Sequence, residues 1–218
     1  MIIPAILETI EQNFIARLEQ VKAVKPKAVQ IDFADGVFVQ NKTVQINDIG
    51  ELPAKIIFEA HLMIEAPSNF NDYKEKGFSK IIVHYESFKS EVALEEACGS
   101  IAELGLTPAI AINPETPVSV LRYHADTINH FTLLSVTPGQ QGQILDEQIF
   151  SRIAELREMA PEAIIEVDGG INKENIKKIV MAGADECAVG SAIFGNSDLN
   201  NDAEQIKKQY KELTALLK

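Results

Sequence analysis

Ile2-Ile3-Pro4-Ala5-Ile6-Leu7 is a short apolar run that passes straight into Glu8-Thr9, with no glycine at the turn. Seven more runs of the same kind follow, at residues 28–33, 56–63, 80–84, 108–112, 132–136, 164–167 and 186–189. They are rich in Ile, Val and Ala and mostly continuous, which is the pattern of strands buried on both faces of a parallel sheet. Amphipathic segments lie between them. Residues 8–23 carry Ile10, Phe14, Leu18 and Val21 at helical spacing, and 91–104 carry Val92, Leu94, Ala97, Ile101 and Leu104. Residues 146–159 carry Ile149, Ile153, Leu156 and Met159, and 173–181 and 202–217 follow the same rule. Gly77, Gly105 and Gly183 each stand where such a helix should stop. Fainter helical patterns lie at 47–53, 68–76 and 116–123.

Strict alternation of strand and helix implies parallel strands joined by right-handed crossovers. Eight units of about 27 residues each imply closure into a (β/α)8 TIM barrel, as a single domain over residues 1–218. The alternative is an open doubly wound sheet, which usually announces itself by a glycine-rich turn after its first strand. Leu7-Glu8-Thr9 offers no such turn, so the barrel is the expected fold.

Composition narrows the function. Lysine and arginine number 20 against 32 aspartates and glutamates, and a net charge of −12 argues against nucleic-acid or anionic-membrane partners. Cys98 and Cys187 form no C-x-x-C pair, so neither a disulfide framework nor a zinc knuckle is expected. The N-terminus lacks a basic segment and meets Glu8 at once, unlike a secretory signal. No apolar stretch approaches the ~18 residues of a membrane span. A cytoplasmic protein is the default expectation.

In a barrel the chemistry sits at the C-terminal ends of the strands. There the runs end in Gln30-Ile31-Asp32, His61-Leu62-Met63, His84-Tyr85-Glu86, Asn113-Pro114, Ser135-Val136-Thr137 and Asp168-Gly169-Gly170. Gln30 and Asp32 are two apart and point the same way, with His61 on the next strand. Asp168 lies well round the barrel. Two carboxylates facing each other across a cavity suit two-base proton transfer at a carbon, which inverts a stereocentre. Asp35, directly before Gly36, is better read as a turn former. The glycines of Asp168-Gly169-Gly170-Ile171-Asn172, leading to a helix near Lys173, and of Gly190-Ser191 fall after strands seven and eight. Barrels often bind phosphate there through backbone N–H groups. Thr137-Pro138-Gly139-Gln140-Gln141-Gly142-Gln143 is a loop on the same face, fit for a lid or a phosphate contact. His84 could line the pocket, whereas His124 and His130 read as surface or structural residues.

Together, Asp35-Gly36-Val37-Phe38-Val39-Gln40-Asn41, Ala60-His61-Leu62-Met63, residues 136–143, Glu166-Val167-Asp168-Gly169-Gly170-Ile171 and Gly190-Ser191-Ala192-Ile193-Phe194 resemble the signatures of the ribulose-phosphate 3-epimerase family, in order and over essentially the whole chain. The resemblance implies a TIM barrel, a homo-oligomer, and metal-assisted interconversion of D-ribulose 5-phosphate and D-xylulose 5-phosphate. It implies that Asp32 and Asp168 are the acid–base pair and that Asp32, His61 and Asp168 hold a divalent metal (Zn, Fe, Mn or Mg). Substrate and phosphate contacts are expected from Asn41, Met63, Gly139, Gly142, Gly169, Gly170, Gly190 and Ser191. The family's first histidine ligand is Gln30 here, a neutral and harder donor that would weaken zinc and favour Mg2+ or Mn2+. Ala5, Ala34, Val37, Gln140 and Gln141 also depart from the family pattern. Two other readings stay open: a paralogue acting on another phosphosugar, and a catalytically silent phosphosugar-binding protein.

Overall fold

The computed structural model of the chain describes residues 1–195 and 203–217. Eight parallel strands hydrogen-bond in sequence order into a closed barrel: β1 (Ile2–Ile6), β2 (Ala28–Ala34), β3 (Ile57–Met63), β4 (Phe78–His84), β5 (Thr107–Ile112), β6 (His130–Leu134), β7 (Ile164–Asp168) and β8 (Glu186–Val189). β1 pairs with both β2 and β8, which closes the ring and excludes the open sheet. Among the described residues seven α-helices surround it: α1 (Glu11–Val24), α2 (Phe70–Lys76), α3 (Glu91–Glu103), α4 (Ile149–Met159), α5 (Ile176–Ala182), α6 (Ser191–Phe194) and α7 (Ala203–Ala215). Of the segment 202–217, Asp202 lies outside the described residues. No helix among the described residues is long and apolar enough to cross a membrane.

Three segments differ from the pattern expected. Between β2 and β3 the described chain has only a 3-10 turn, Ile46–Asp48, where 47–53 read as helical. Gly50 and Pro53 interrupt that stretch. Between β5 and β6 the 116–123 segment is also 3-10, over Val118–Tyr123. Pro117 opens it, and β-branched Val118 and Val120 disfavour a regular helix. β6 starts two residues early and stops at Leu134, where its partner β7 also ends, at Asp168.

The apolar core has two parts. The larger lies between sheet and helices and includes Ile31, Phe33, Leu62, Phe131, Ile153 and Ile206. The smaller, Ile82, Ala109, Ala111 and Leu134, lies inside the barrel. Alternation along each strand separates them: successive residues face the helices and the barrel axis in turn. Barrel interiors are usually packed with branched apolar layers. Here buried Gln30, Asp32, Glu59, His61, Lys80, His84, Thr132 and Glu166 take much of that space.

Those polar residues form two levels. Lys80 Nζ lies 2.6 Å from Glu59 Oε2, 2.8 Å from Glu166 Oε2 and 3.2 Å from Glu186 Oε2. Glu59 and Glu166 stand two residues before His61 and Asp168, so this cluster sits one level below the C-terminal mouth. Burial, with Glu166 beside it, pushes the Glu59 carboxyl well above the usual range despite Lys80. The three carboxylates in turn raise Lys80 against the opposite pull of burial.

Candidate active site

Register brings the predicted residues together. Asp32 pairs with His61 across β2 and β3, at one height and on the axial face. Asp168 closes β7 on the other side. One ligand atom from each of Asp32, His61 and Asp168 falls within 4.8 Å of the others. His61 Nδ1 lies 3.0 Å from Asp32 Oδ1 and 3.3 Å from Asp168 Oδ2. Burial pulls the His61 imidazole down, but Asp168 and Asp32 overcome it and hold it at about 10. Burial also raises the Asp32 carboxyl, with Asp168 adding to the rise and His61 and Gln30 opposing it.

Gln30 reaches the centre of this group. Its Nε2 donates to Asp32 Oδ1 and Asp168 Oδ2, both at 2.8 Å, and lies 3.3 Å from His61 Nδ1. One amide NH2 thus bridges the two carboxylates. Its Oε1 is buried and has no hydrogen-bond partner. A cation suits this donor set: rotation of the amide would turn Oε1 toward the carboxylates and complete one nitrogen and three oxygen donors. Such an oxygen-rich set favours harder divalent ions.

Above the triad opens a cleft lined by Asp32, His61 and Asp168, by apolar Ala5, Leu7, Met63, Leu134 and Val136, and by the loops after β6, β7 and β8. Gly139, Gly142, Gly169, Gly170, Gly190 and Ser191 all line it. Asn41 does not; its Nδ2 donates to the Gly139 carbonyl and ties the loop after β2 to the loop after β6. His84 is likewise absent from the wall. It is fully buried, its ring packed against those of His61 and Phe38. Asp35 forms the expected turn, accepting from the backbone N–H groups of Val37, Phe38 and Glu65. His124 is buried against Glu91, with 2.7 Å between Nε2 and Oε2.

The glutamine-rich loop is stitched in place. Gln141 Nε2 donates to the Leu7 carbonyl at 2.9 Å, and Gln143 Nε2 donates to the Thr137 and Gln140 carbonyls. After β7, Ser135 Oγ donates to the Asp168 and Gly169 carbonyls, and Asn175 Nδ2 donates to the Gly170 carbonyl. The helix expected near Lys173 begins only at Ile176, since the Asn172 and Asn175 side chains hold a turn before it. Gly170 has φ +61°, and a Cβ there would stand 2.5 Å from the Leu145 backbone nitrogen. Gly170→Ala should therefore cost about 1–3 kcal/mol of stability and displace the loop. Urea denaturation measures this, and an unchanged midpoint would contradict it.

Residues 1–194 match the sequence profile of the Ribulose-phosphate 3 epimerase family. The chain belongs to the ribulose-phosphate 3-epimerase family. Curated relatives include ribulose-phosphate 3-epimerase of Aquifex aeolicus, 36% identical, with 81% of each chain covered. The Bacillus subtilis ribulose-phosphate 3-epimerase is 31% identical over 94% of this chain and 96% of its own. The chloroplastic ribulose-5-phosphate-3-epimerase of Arabidopsis thaliana is 34% identical, over 94% of this chain and 74% of its own. Among solved structures, a mutant tryptophan synthase alpha-subunit of Pyrococcus furiosus superposes with TM-score 0.71 at 17% identity, covering 98% of this chain and 97% of that one. Orotidine 5'-phosphate decarboxylase of Pyrococcus horikoshii gives TM-score 0.62 at 17% identity, over 98% and 99%. At such identity these two speak for the barrel alone.

The sequence places Ser135 and Glu86 at strand ends on this face without giving either a role. Ser135 is followed by an apolar residue and reads as a strand position. Glu86 follows His84 by two residues, a spacing that would have marked it as the histidine's neighbour.

Proposed function

We propose that the chain, as a single (β/α)8 domain over residues 1–218, epimerises C3 of D-ribulose 5-phosphate to give D-xylulose 5-phosphate. The observation that carries this is the pair Asp32 and Asp168, brought from β2 and β7 to one buried point beneath a cleft whose rim is built of glycines. One carboxylate takes the C3 proton while the other, protonated, delivers its own proton to the opposite face of the same carbon. The two then exchange roles for the reverse direction. Met63, Leu134 and Val136 wall this floor with apolar surface, which keeps water from the carbanion. Gly139, Gly142, Gly169, Gly170, Gly190 and Ser191 receive the phosphate end through backbone groups, which suits an acidic protein.

Asp32, His61 and Asp168 would hold a divalent metal, with Gln30 Oε1 as the fourth donor. Bound there, such an ion supplies Lewis-acid stabilisation of the charge that develops on the substrate's C2 and C3 oxygens. Gln30 in the unloaded site keeps the two carboxylates together by donating to both. Gln30→His should raise Zn2+ affinity, read as metal content after dialysis, and should raise turnover with zinc. No gain in bound zinc would mean that the side chain at position 30 supplies no ligand to the ion. Another ketose phosphate is the second reading, favoured by Gln140, Gln141 and Gln143 in the cleft wall. Assay of D-ribulose 5-phosphate beside other ketose phosphates separates the two: faster turnover of another sugar would replace the first reading.

A further inference from the structure

Arg17 stands away from the triad, on the buried face of α1 beside Phe14, Leu18 and Val21, and is 2% exposed. Its guanidinium meets two segments that lead into the cleft. Nε donates to Glu8 Oε1 at 2.9 Å, in the turn that leaves β1, and Glu8 directly follows the cleft residue Leu7. Nη1 donates to the Phe194 carbonyl at 3.3 Å, at the last residue of α6. Nη1 also donates to Gln20 Oε1 at 3.2 Å, on the next turn of α1, which steadies the fork on its own helix. The guanidinium carbon lies 5.2 Å from the centre of the Phe194 ring, and that ring is itself buried.

α6 cannot hold its place unaided. It has four residues, and a single turn of helix is unstable by itself. The last carbonyls of a helix lack partners within it and carry partial negative charge, so a guanidinium beside them is favoured. Arg17 supplies that partner at Phe194. At its other end α6 opens on Gly190 and Ser191, which line the cleft. Gly190 also stands close to β1: a Cβ there would lie 3.5 Å from the Ala5 carbonyl oxygen. β1 and β8 are neighbours in the barrel, and the contacts of Arg17 span the segments that follow them. A buried ion pair adds little stability over apolar packing, so stability alone does not account for a charge at this place. We propose that Arg17 is a positioning residue: by fixing the Phe194 carbonyl against the Glu8 carboxylate, it sets where Gly190 and Ser191 stand to receive the substrate's phosphate. This rests on the phosphate reading of the cleft given above and adds the group that holds α6 for it.

Arg17→Met keeps the stem of the side chain and loses both polar contacts. With 15N label in the full chain, inorganic phosphate should move the Gly190 and Ser191 amide signals of wild type. In R17M the phosphate affinity read from those signals should fall about 10–100-fold, the scale of a misplaced contact. KM for D-ribulose 5-phosphate should rise in step while kcat holds, as when binding common to substrate and transition state is lost. Glu8→Ala removes the carboxylate that orients Arg17 and leaves the α1 core in place. It should show a smaller loss in the same direction, which carries the test if R17M does not fold. Added to R17M, Glu8→Ala should weaken phosphate no further, because the two side chains act as one unit. A merely structural role would lower the urea midpoint yet leave phosphate affinity and KM of the folded variants at wild-type values. That result, or a fall in kcat at unchanged KM, would overturn the proposal while the phosphate reading stands. Phosphate that leaves the Gly190 and Ser191 amides of wild type unmoved would overturn the phosphate reading, and the proposal falls with it.

Discussion

Asp168→Asn lowers proton exchange at C3 of D-ribulose 5-phosphate by about 10²–10⁴-fold, the usual contribution of a positioned acid–base group. The change is nearly isosteric. The asparagine keeps an oxygen that can accept from Gln30 Nε2, now 2.8 Å from Asp168 Oδ2. The glycine rim beyond it is held by backbone and by Ser135 and Asn175, not by the Asp168 carboxylate. Binding of the sugar phosphate should therefore persist while exchange is lost. Deuterium incorporation read by NMR, beside calorimetric binding, separates the two. Exchange at the wild-type rate in this variant would remove the two-aspartate mechanism.

The second large effect falls on stability rather than chemistry. Lys80 is the cation within contact of the Glu59, Glu166 and Glu186 carboxylates. Lys80→Met fills the same volume but leaves those carboxylates buried without it. Removing one partner of a buried charge cluster costs about 3–5 kcal/mol, because the remaining charge is uncompensated. Acid should reduce that loss. Burial raises both Glu59 and Glu166, so these groups bind protons more readily in the folded chain than in the unfolded one. Stability from them is present at low pH and lost as pH rises through their raised values. Without Lys80 they rise further. The variant should therefore lie closest to wild type near pH 5 and fall away towards pH 8, as urea denaturation at each pH would show. A loss that is constant with pH, or below about 1 kcal/mol, would mean that the cluster is hydrated and carries little strain.

The strand order and the mouth of the barrel were legible because each depends on local pattern. Eight apolar runs with helical segments between them leave few topologies, and a turn such as Leu7-Glu8-Thr9 removes the open sheet. Polar residues at the run ends then point to one face. The interior was not legible in the same way. Glu59, Lys80, Glu166 and Glu186 sit inside or beside runs that read as apolar, and only their strand partners explain them. Pairing between strands far apart in sequence cannot be read from one chain. One signal was available: Glu59–His61, Glu166–Asp168 and Gln30–Asp32 share the i, i+2 spacing that places both members on one face of a strand. His84 was singled out for its place at a strand end, but its depth was not readable. Whether such a side chain lines a cleft or packs behind another ring depends on the register with β3, where His61 stands beside Ile82. The 3-10 turns at Ile46–Asp48 and Val118–Tyr123 show the limit of periodicity in short segments, where proline and β-branched residues outweigh apolar spacing.

Proton exchange into deuterated water reports the transfer between Asp32 and Asp168 itself. Metal-stripped chain is incubated with D-ribulose 5-phosphate, alone and with Zn2+, Fe2+, Mn2+ or Mg2+, and C3 deuterium and D-xylulose 5-phosphate are followed by NMR. Deuterium should enter C3 with formation of D-xylulose 5-phosphate, fastest with Mn2+ or Mg2+ because Gln30 offers an oxygen where a histidine would offer nitrogen. No C3 deuterium with any of the four ions, while the sugar phosphate still binds, would contradict it.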